Sequence, residues 1–232
     1  MAKKGGSPHY LRIRAPNSLA IKGKKENRWL LAPSPGPHPK GASITLGVLL
    51  RDVLKVVSDL RECKKVLRAK RVLVNSIART EAKFPIGLMD VVSLPLEGKS
   101  YRMTIRARKL QPVEISAENA KKHFLKVVGK STISGGKTCI TFHNGRNMLA
   151  DNDIKVGDTA VLDDGAKMSQ VIKLKSGARC LITSGKHAGE IAQFEGLIER
   201  KGSMDAEAKL KGTQESFVTV AKYLFAVDDS FN

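Results

Sequence analysis

The clearest helical period of the chain lies at 43–57. Leu46, Leu49, Leu50, Val53, Leu54 and Val57 recur at i, i+3, i+4, i+7 spacing, with Arg51 and Lys55 on the opposite face. A second helix is predicted directly after it. Asp59 and Glu62 form a D-x-x-E start signal, Leu60, Cys63 and Leu67 make an apolar stripe, and Lys64, Lys65 and Arg68 face outward, followed by Lys70 and Arg71. Cys63 reads as a small core residue.

The pattern then changes to strands. In RVLVNSIART (71–80), Val72 and Val74 alternate with polar neighbours and Asn75-Ser76 supplies a turn. In FPIGLMDVVSL (84–94), Pro85 and Gly87 interrupt the chain before a strand at Val91-Val92. Arg79 and Lys83 extend the basic surface of this segment. From about residue 98 the period is two: Tyr101, Met103 and Ile105 face one side, and Arg102, Thr104 and Arg106 the other. That alternation predicts a half-buried strand with a basic, phosphate-facing surface, extended by Arg108. ISAENAKKHF (115–124) reads as one short helix capped by Ser116. Turn signals at Gly135-Gly136, Asn144-Gly145 and Asp164-Gly165 separate further short strands. After about 176, strands are expected at Leu181–Thr183, at Ile191–Phe194 and twice within 217–227, with RKGSMDAEAKLKG (200–212) as an exposed loop.

Residues 1–41 differ from all of this. Lys3, Lys4, Arg12, Arg14, Lys22, Lys24, Lys25, Arg28 and Lys40 stand against one acid, Glu26, and prolines alternate through APSPGPHPK. Such a run excludes helix and ladder pairing, so an extended basic arm is expected, anchored at Trp29-Leu30-Leu31 and ordered on binding RNA. The predicted fold class is α+β and multidomain: the arm (1–41), a small two-helix plus hairpin domain (42–95), a central β-rich domain (96–174) and a small β-rich domain (175–232).

Charge turns this organisation toward a partner. The chain holds 41 Lys+Arg against 22 Asp+Glu, a formal net charge of +19 distributed over every segment. A polyanion is implied, above all nucleic acid, because each Lys or Arg that meets a phosphate releases condensed counterions. Aromatic residues at 5% argue against a sheet that reads bases mainly by stacking. Cys63, Cys139 and Cys180 are isolated and lack the spacing of a zinc site, which fits a reduced, cytoplasmic setting. The longest apolar stretch, Ile44–Leu50, is far too short to span a bilayer, and MAKKGGSPHYLRIRAP has no apolar signal core.

Catalytic look-alikes lack their working parts. Gly129-Lys130-Ser131-Thr132 resembles the end of a phosphate loop, but Phe124 stands where the first glycine belongs. Gly145-Arg146 resembles the start of the pseudouridine-synthase motif, but Asn147-Met148 replaces Leu-Asp and removes the carboxylate. His9, His38, His123, His143 and His187 have no i,i+4 partner. No catalytic residue, metal, cofactor or small-molecule substrate is therefore expected, and no membrane.

Four blocks in order resemble a known family, the archaeal and eukaryotic small-subunit ribosomal protein of the S-four-e type. PSPGPHP (33–39) is similar to its arm. LRDVLK (50–55), VLVN (72–75), Arg79-Thr80 and FPIGLMDVVSL resemble its bacterial-ribosomal-protein-four-like RNA-binding domain. HNGRN (143–147) and KVGDT (155–159) resemble its central domain, and TSGKHAGEI (183–191) its KOW motif. The resemblance implies a KOW-type SH3-like barrel over 175–232. It also implies a non-catalytic place in the small subunit against the 5′ domain of 16S-type ribosomal RNA, beside neighbouring small-subunit proteins. The expected RNA contacts are Arg12, Arg14, Lys22, Lys24, Lys25 and Arg28 in the arm, and Arg51, Lys55, Lys64, Lys65, Arg68, Lys70, Arg71, Arg79 and Lys83 in the first domain. Arg102, Arg106, Arg108, His143 and Arg146 follow in the central domain, and Lys186 and His187 in the KOW segment.

Overall fold

Backbone constraints on both sides shorten the helix expected over 43–57. In the computed structural model, which describes residues 7, 9–21, 23–150, 152–164, 167–200, 204–212, 215–228 and 231, the chain divides into two compact units. The first comprises residues up to Thr104 together with Lys109–Ala120; the second comprises Ile105–Arg108 and Lys121 onward.

In the first unit, β1 (His9–Leu11) pairs antiparallel with β2 (Trp29–Leu31), placing Trp29 opposite Leu11. Ala15, Leu19, Ile21, Leu30 and Ala32 are buried, so the segment expected as an extended arm that orders on binding RNA is folded onto its own unit. Charge sets this segment apart in the sequence, but its spaced apolar residues decide its packing. The prolines act as predicted on the ladder, since 32–39 lies outside every strand.

β3 (Ile44–Thr45) pairs with β6 (Pro85–Ile86) and takes up the start of the predicted helix. A single turn, α1 (Leu46–Val48), continues as a wider turn over Leu49–Val53, in which the Leu54 N–H reaches the Leu49 carbonyl at 2.9 Å. Lys55 then adopts φ 56°, a left-handed conformation that ends the helix. Gly47 permits close packing here: a Cβ would lie 3.2 Å from both the Ala82 Cβ and the Leu60 Cδ1. α2 (Leu60–Arg68) follows with Cys63 and Leu67 buried as the stripe predicts. Its start differs in detail. Asp59 makes no side-chain cap bond, and the Glu62 carboxylate instead accepts from the Ser58 N–H at 2.8 Å and hydroxyl at 2.9 Å.

The sheet of this unit has the order β5-β4-β7-β8-β9, formed by β4 (Leu73–Val74), β5 (Ile77–Ala78), β7 (Val91–Leu94), β8 (Lys99–Arg106) and β9 (Lys109–Ile115). The boundary expected at 95/96 therefore falls inside the β7–β8 hairpin. Asn75 and Ser76, at φ 49° and 63°, make the β4–β5 turn. The helix predicted over 115–124 is the single turn α3 (Ala117–Ala120); Ile115 ends β9 and His123 opens the next strand.

A buried polar centre ties the proline segment to this sheet. His38 Nε2 lies 2.8 Å from the Asp90 carboxylate, which also accepts from the Gly87 N–H at 2.9 Å and the Asn75 amide at 2.7 Å. Burial pushes the Asp90 carboxyl up, but these partners together hold it below the ordinary carboxylate value. Gly87 is needed for the approach, since a Cβ there would come within 2.3 Å of the His38 ring.

The second unit holds two five-stranded antiparallel sheets. One has the order β12-β11-β10-β13-β14, from β10 (His123–Thr132), β11 (Thr138–Phe142), β12 (Asn147–Leu149), β13 (Thr159–Leu162) and β14 (Met168–Ile172). Its core gathers Leu125, Val127, Ile140, Phe142, Ala160 and Leu162. The turns at Gly135-Gly136 and Asn144-Gly145 lie where predicted, while Gly165 is outside the described residues.

The other sheet has the order β18-β17-β16-β15-β19, from β15 (Arg179–Ile182), β16 (Ile191–Ile198), β17 (Glu207–Lys211), β18 (Ser216–Val220) and β19 (Leu224–Ala226). Its core includes Cys180, Ile182, Phe194, Ala208, Leu210 and Leu224. The loop expected over 200–212 is thus partly a strand: Ala208 and Leu210 are buried, alternating with exposed Lys209 and Lys211.

Candidate nucleic-acid interface

Helical spacing places Arg61, Lys64, Lys65 and Arg68 on one side of α2, and all four are exposed. Arg61 was absent from the expected set, although its i, i+3, i+4, i+7 relation to the other three is legible in the sequence. Lys70 and Arg71 continue the exposed row, and Lys55 is exposed at the end of the preceding helix. Arg79 and Lys83 are half-buried, and the Arg79 guanidinium sits 4.4 Å from the Phe84 ring centroid.

Several expected contacts are engaged inside the fold. Arg12 is 3% exposed and donates to Asp52 at 2.8 Å and to the Gly23 carbonyl at 3.0 Å. Arg51 also donates to Asp52, at 2.7 Å. Burial acts to raise the Asp52 carboxyl, but Arg51 and then Arg12 hold it below its usual value. Lys24 donates to the Ala15 carbonyl at 2.8 Å and to Asn17 at 2.6 Å. In the arm, Arg14, Lys25 and Arg28 remain exposed, with Arg28 5.2 Å from the Trp29 ring centroid; Lys22 lies outside the described residues.

Arg102 corrects the expectation of a basic face on β8. It is 3% exposed, donates to the Asn119 carbonyl at 2.7 Å, and is pushed down to about 10 by burial. The cause is α3, whose residue Asn119 caps that face. Thr104 is buried beside it, and of the expected row only Arg106 is exposed.

In the second unit the fold joins two clusters far apart in sequence. The Arg108 N–H donates to the Ala188 carbonyl at 3.3 Å, and Gly189, at φ 95°, abuts the backbone of Ile105 and Arg106. Exposed Arg106 and Arg108 thereby share a corner with exposed Lys186 and half-buried His187. Arg146 is exposed at the β11–β12 turn, while half-buried His143 accepts from the Lys126 N–H at 3.2 Å and meets Phe225 edge-on. Lys126 was not expected to matter. Its ammonium donates to the carbonyls of Lys222 at 2.8 Å and Leu224 at 2.6 Å, and burial pushes it down to about 8. It is an internal strut between strands.

Among the described residues, no group of three or more His, Cys, Asp or Glu is placed to hold a metal, and no helix is long and apolar enough to cross a membrane.

Comparison with known proteins supplies the family. The model described as Ribosomal family S4e matches residues 97–165. The small ribosomal subunit protein eS4 of Korarchaeum cryptofilum is 36% identical over 96% of this chain and 97% of its own length. That of Methanosphaera stadtmanae is 37% identical over 98% and 95% respectively. The chain belongs to the S4e family of ribosomal proteins. A crystal structure of the 30S ribosomal protein S4e from Thermoplasma acidophilum has the same fold, with a TM-score of 0.69 at 30% identity, covering 80% of this chain and 95% of that one. Within this S4e chain, the family-model match runs from the β7–β8 hairpin through β13, and so includes buried Arg102 and exposed Arg106, Arg108 and Arg146.

Proposed function

We propose that this S4e chain is a structural constituent of the small ribosomal subunit, binding 16S-type ribosomal RNA without catalysis, in the cytoplasm. One observation carries the reading: near-full-length similarity to archaeal proteins named for that subunit. The exposed basic rows supply a mechanism. Lys and Arg side chains on α2, on the arm and at the 105–108/183–190 corner neutralise phosphates on separate RNA segments and fix their relative positions. Binding is dominated by RNA shape and charge, with little base discrimination.

Within that reading, 42–95 serves as a ribosomal-protein-four-like RNA-binding segment, 183–191 as a KOW element of a small barrel, and the 5′ domain of the RNA as the site. The contact set keeps Arg14, Lys25, Arg28, Lys55, Lys64, Lys65, Arg68, Lys70, Arg71, Arg79, Lys83, Arg106, Arg108, His143, Arg146, Lys186 and His187, and adds Arg61. Arg12, Lys24, Arg51 and Arg102 are given structural roles instead.

The test is a sucrose gradient of native lysate in high salt. The protein should sediment with the small subunit; recovery at the top of the gradient would reject the proposal.

A further inference from the structure

The corner formed by the tip 105–108 and the loop 183–190 holds one side chain in an unusually defined state. Gly189 allows the corner to close. Its φ of 95° disfavours any side chain, and a Cβ there would lie 2.8 Å from the Ile105 carbonyl oxygen and 3.2 Å from the Arg106 Cα. Closure places the His187 loop beside the exposed Arg106 and Arg108.

His187 is held twice. Its ring stacks on Phe217 of β18, with centroids 4.1 Å apart and planes 14° from parallel. Its Nδ1 lies 3.0 Å from the Glu190 carboxylate. An ionised carboxylate only accepts, so Nδ1 must carry the hydrogen. The neutral ring then presents Nε2 as a hydrogen-bond acceptor, and the side chain is 32% exposed. No described residue hydrogen-bonds to Nε2. An acceptor is out of place in a surface built to meet phosphates, which offer only acceptors themselves.

We propose that this corner recognises the ribose of RNA: Arg106, Arg108 and Lys186 hold the phosphates, and His187 Nε2 accepts a hydrogen bond from a 2′-hydroxyl. That hydroxyl is the one donor that every ribonucleotide carries whatever its base, and it is what separates RNA from DNA. Glu190 is a positioning residue that fixes the tautomer, and Phe217 is the platform that fixes the ring plane. The inference rests on the RNA-binding reading above and specifies its chemistry at one place.

The experiment measures binding of the full chain to an RNA hairpin and to its 2′-fluoro counterpart, which keeps the charge and the A-form but lacks the donor. Wild type should prefer the hydroxyl form by roughly three- to tenfold, the range of one neutral hydrogen bond. His187→Phe keeps a ring on Phe217 and should bind both RNAs alike. Lys186→Ala should weaken both equally and keep the preference. Nitrogen-15 spectra of the neutral ring in alkaline buffer should show the hydrogen on Nδ1 in wild type, and a redistribution in Glu190→Gln. A preference that survives in His187→Phe, or a wild-type ring protonated on Nε2, would overturn the inference and leave RNA binding standing. Failure of wild type to bind either RNA would instead overturn the RNA-binding reading, and this inference with it.

Discussion

Arg12 and Asp52, 40 positions apart in the chain, meet at 2.8 Å with 3% and 10% of their side chains exposed. This pair, with Arg51 on the same carboxylate, fastens the amino-terminal segment to the first unit. Removing one member of such a pair leaves the other charged and buried.

Asp52→Asn should therefore destabilise the protein by about 3 kcal/mol. Residues 9–31 should become the first site of limited proteolysis, and urea titration gives the energy. The folded Asp52 carboxyl is held low, so its stabilisation is complete above the ordinary carboxylate range and is lost as pH falls through the folded value. The stability gap between wild type and variant should close in acid.

Gly87→Ala drives a methyl group into the His38 ring and should cost roughly 1–3 kcal/mol, the usual penalty for overpacking. In a His38→Ala background the same change should cost much less. Thermal unfolding of the two single variants and the double variant reads this non-additivity.

Lys126→Met keeps the apolar stem and leaves the Lys222 and Leu224 carbonyls without their donor, for a loss of about 1–3 kcal/mol. Its pH signature is specific. Above about 8 the folded lysine sheds its proton while the unfolded one keeps it up to its ordinary 10.5, so wild-type stability should rise with pH in that interval. The variant should lack the rise. Cys180, pushed up to about 12 by burial, acts oppositely above its ordinary 9.0, so the comparison belongs between about 8 and 9.

Replacing Arg61, Lys64, Lys65 and Arg68 together by Ala should leave the circular dichroism intact, because all four are exposed and alanine favours helix. It should also flatten the dependence of log K on log[salt] by roughly 0.7–0.9 for each phosphate contact removed. An unchanged slope would show that this helix face does not meet RNA.

What the sequence disclosed follows from where the information lies. Period and turn chemistry are local, so the α2 stripe, the Asn75-Ser76 turn and the Gly135-Gly136 and Asn144-Gly145 turns were readable. The fate of a charged side chain depends on distant segments. Nothing near Arg102 in sequence says that α3 will cover it, and nothing near Arg12 points to Asp52. The strand at Glu207–Lys211 was the reverse case: the alternation Ala208-Lys209-Leu210-Lys211 was visible but outweighed by the Gly, Ser, Asp and Lys preceding it.

Trp29 is the only tryptophan of the chain, and it stands in the β1–β2 pair, where its ring meets that of His9 nearly at right angles and has the guanidinium of Arg28 over it. Tryptophan emission from the whole protein therefore comes from the basic amino-terminal segment alone. Excited at wavelengths that the tyrosines do not absorb, a solution of this protein carries its own optical gauge of that segment, able to time its release or its seating on RNA.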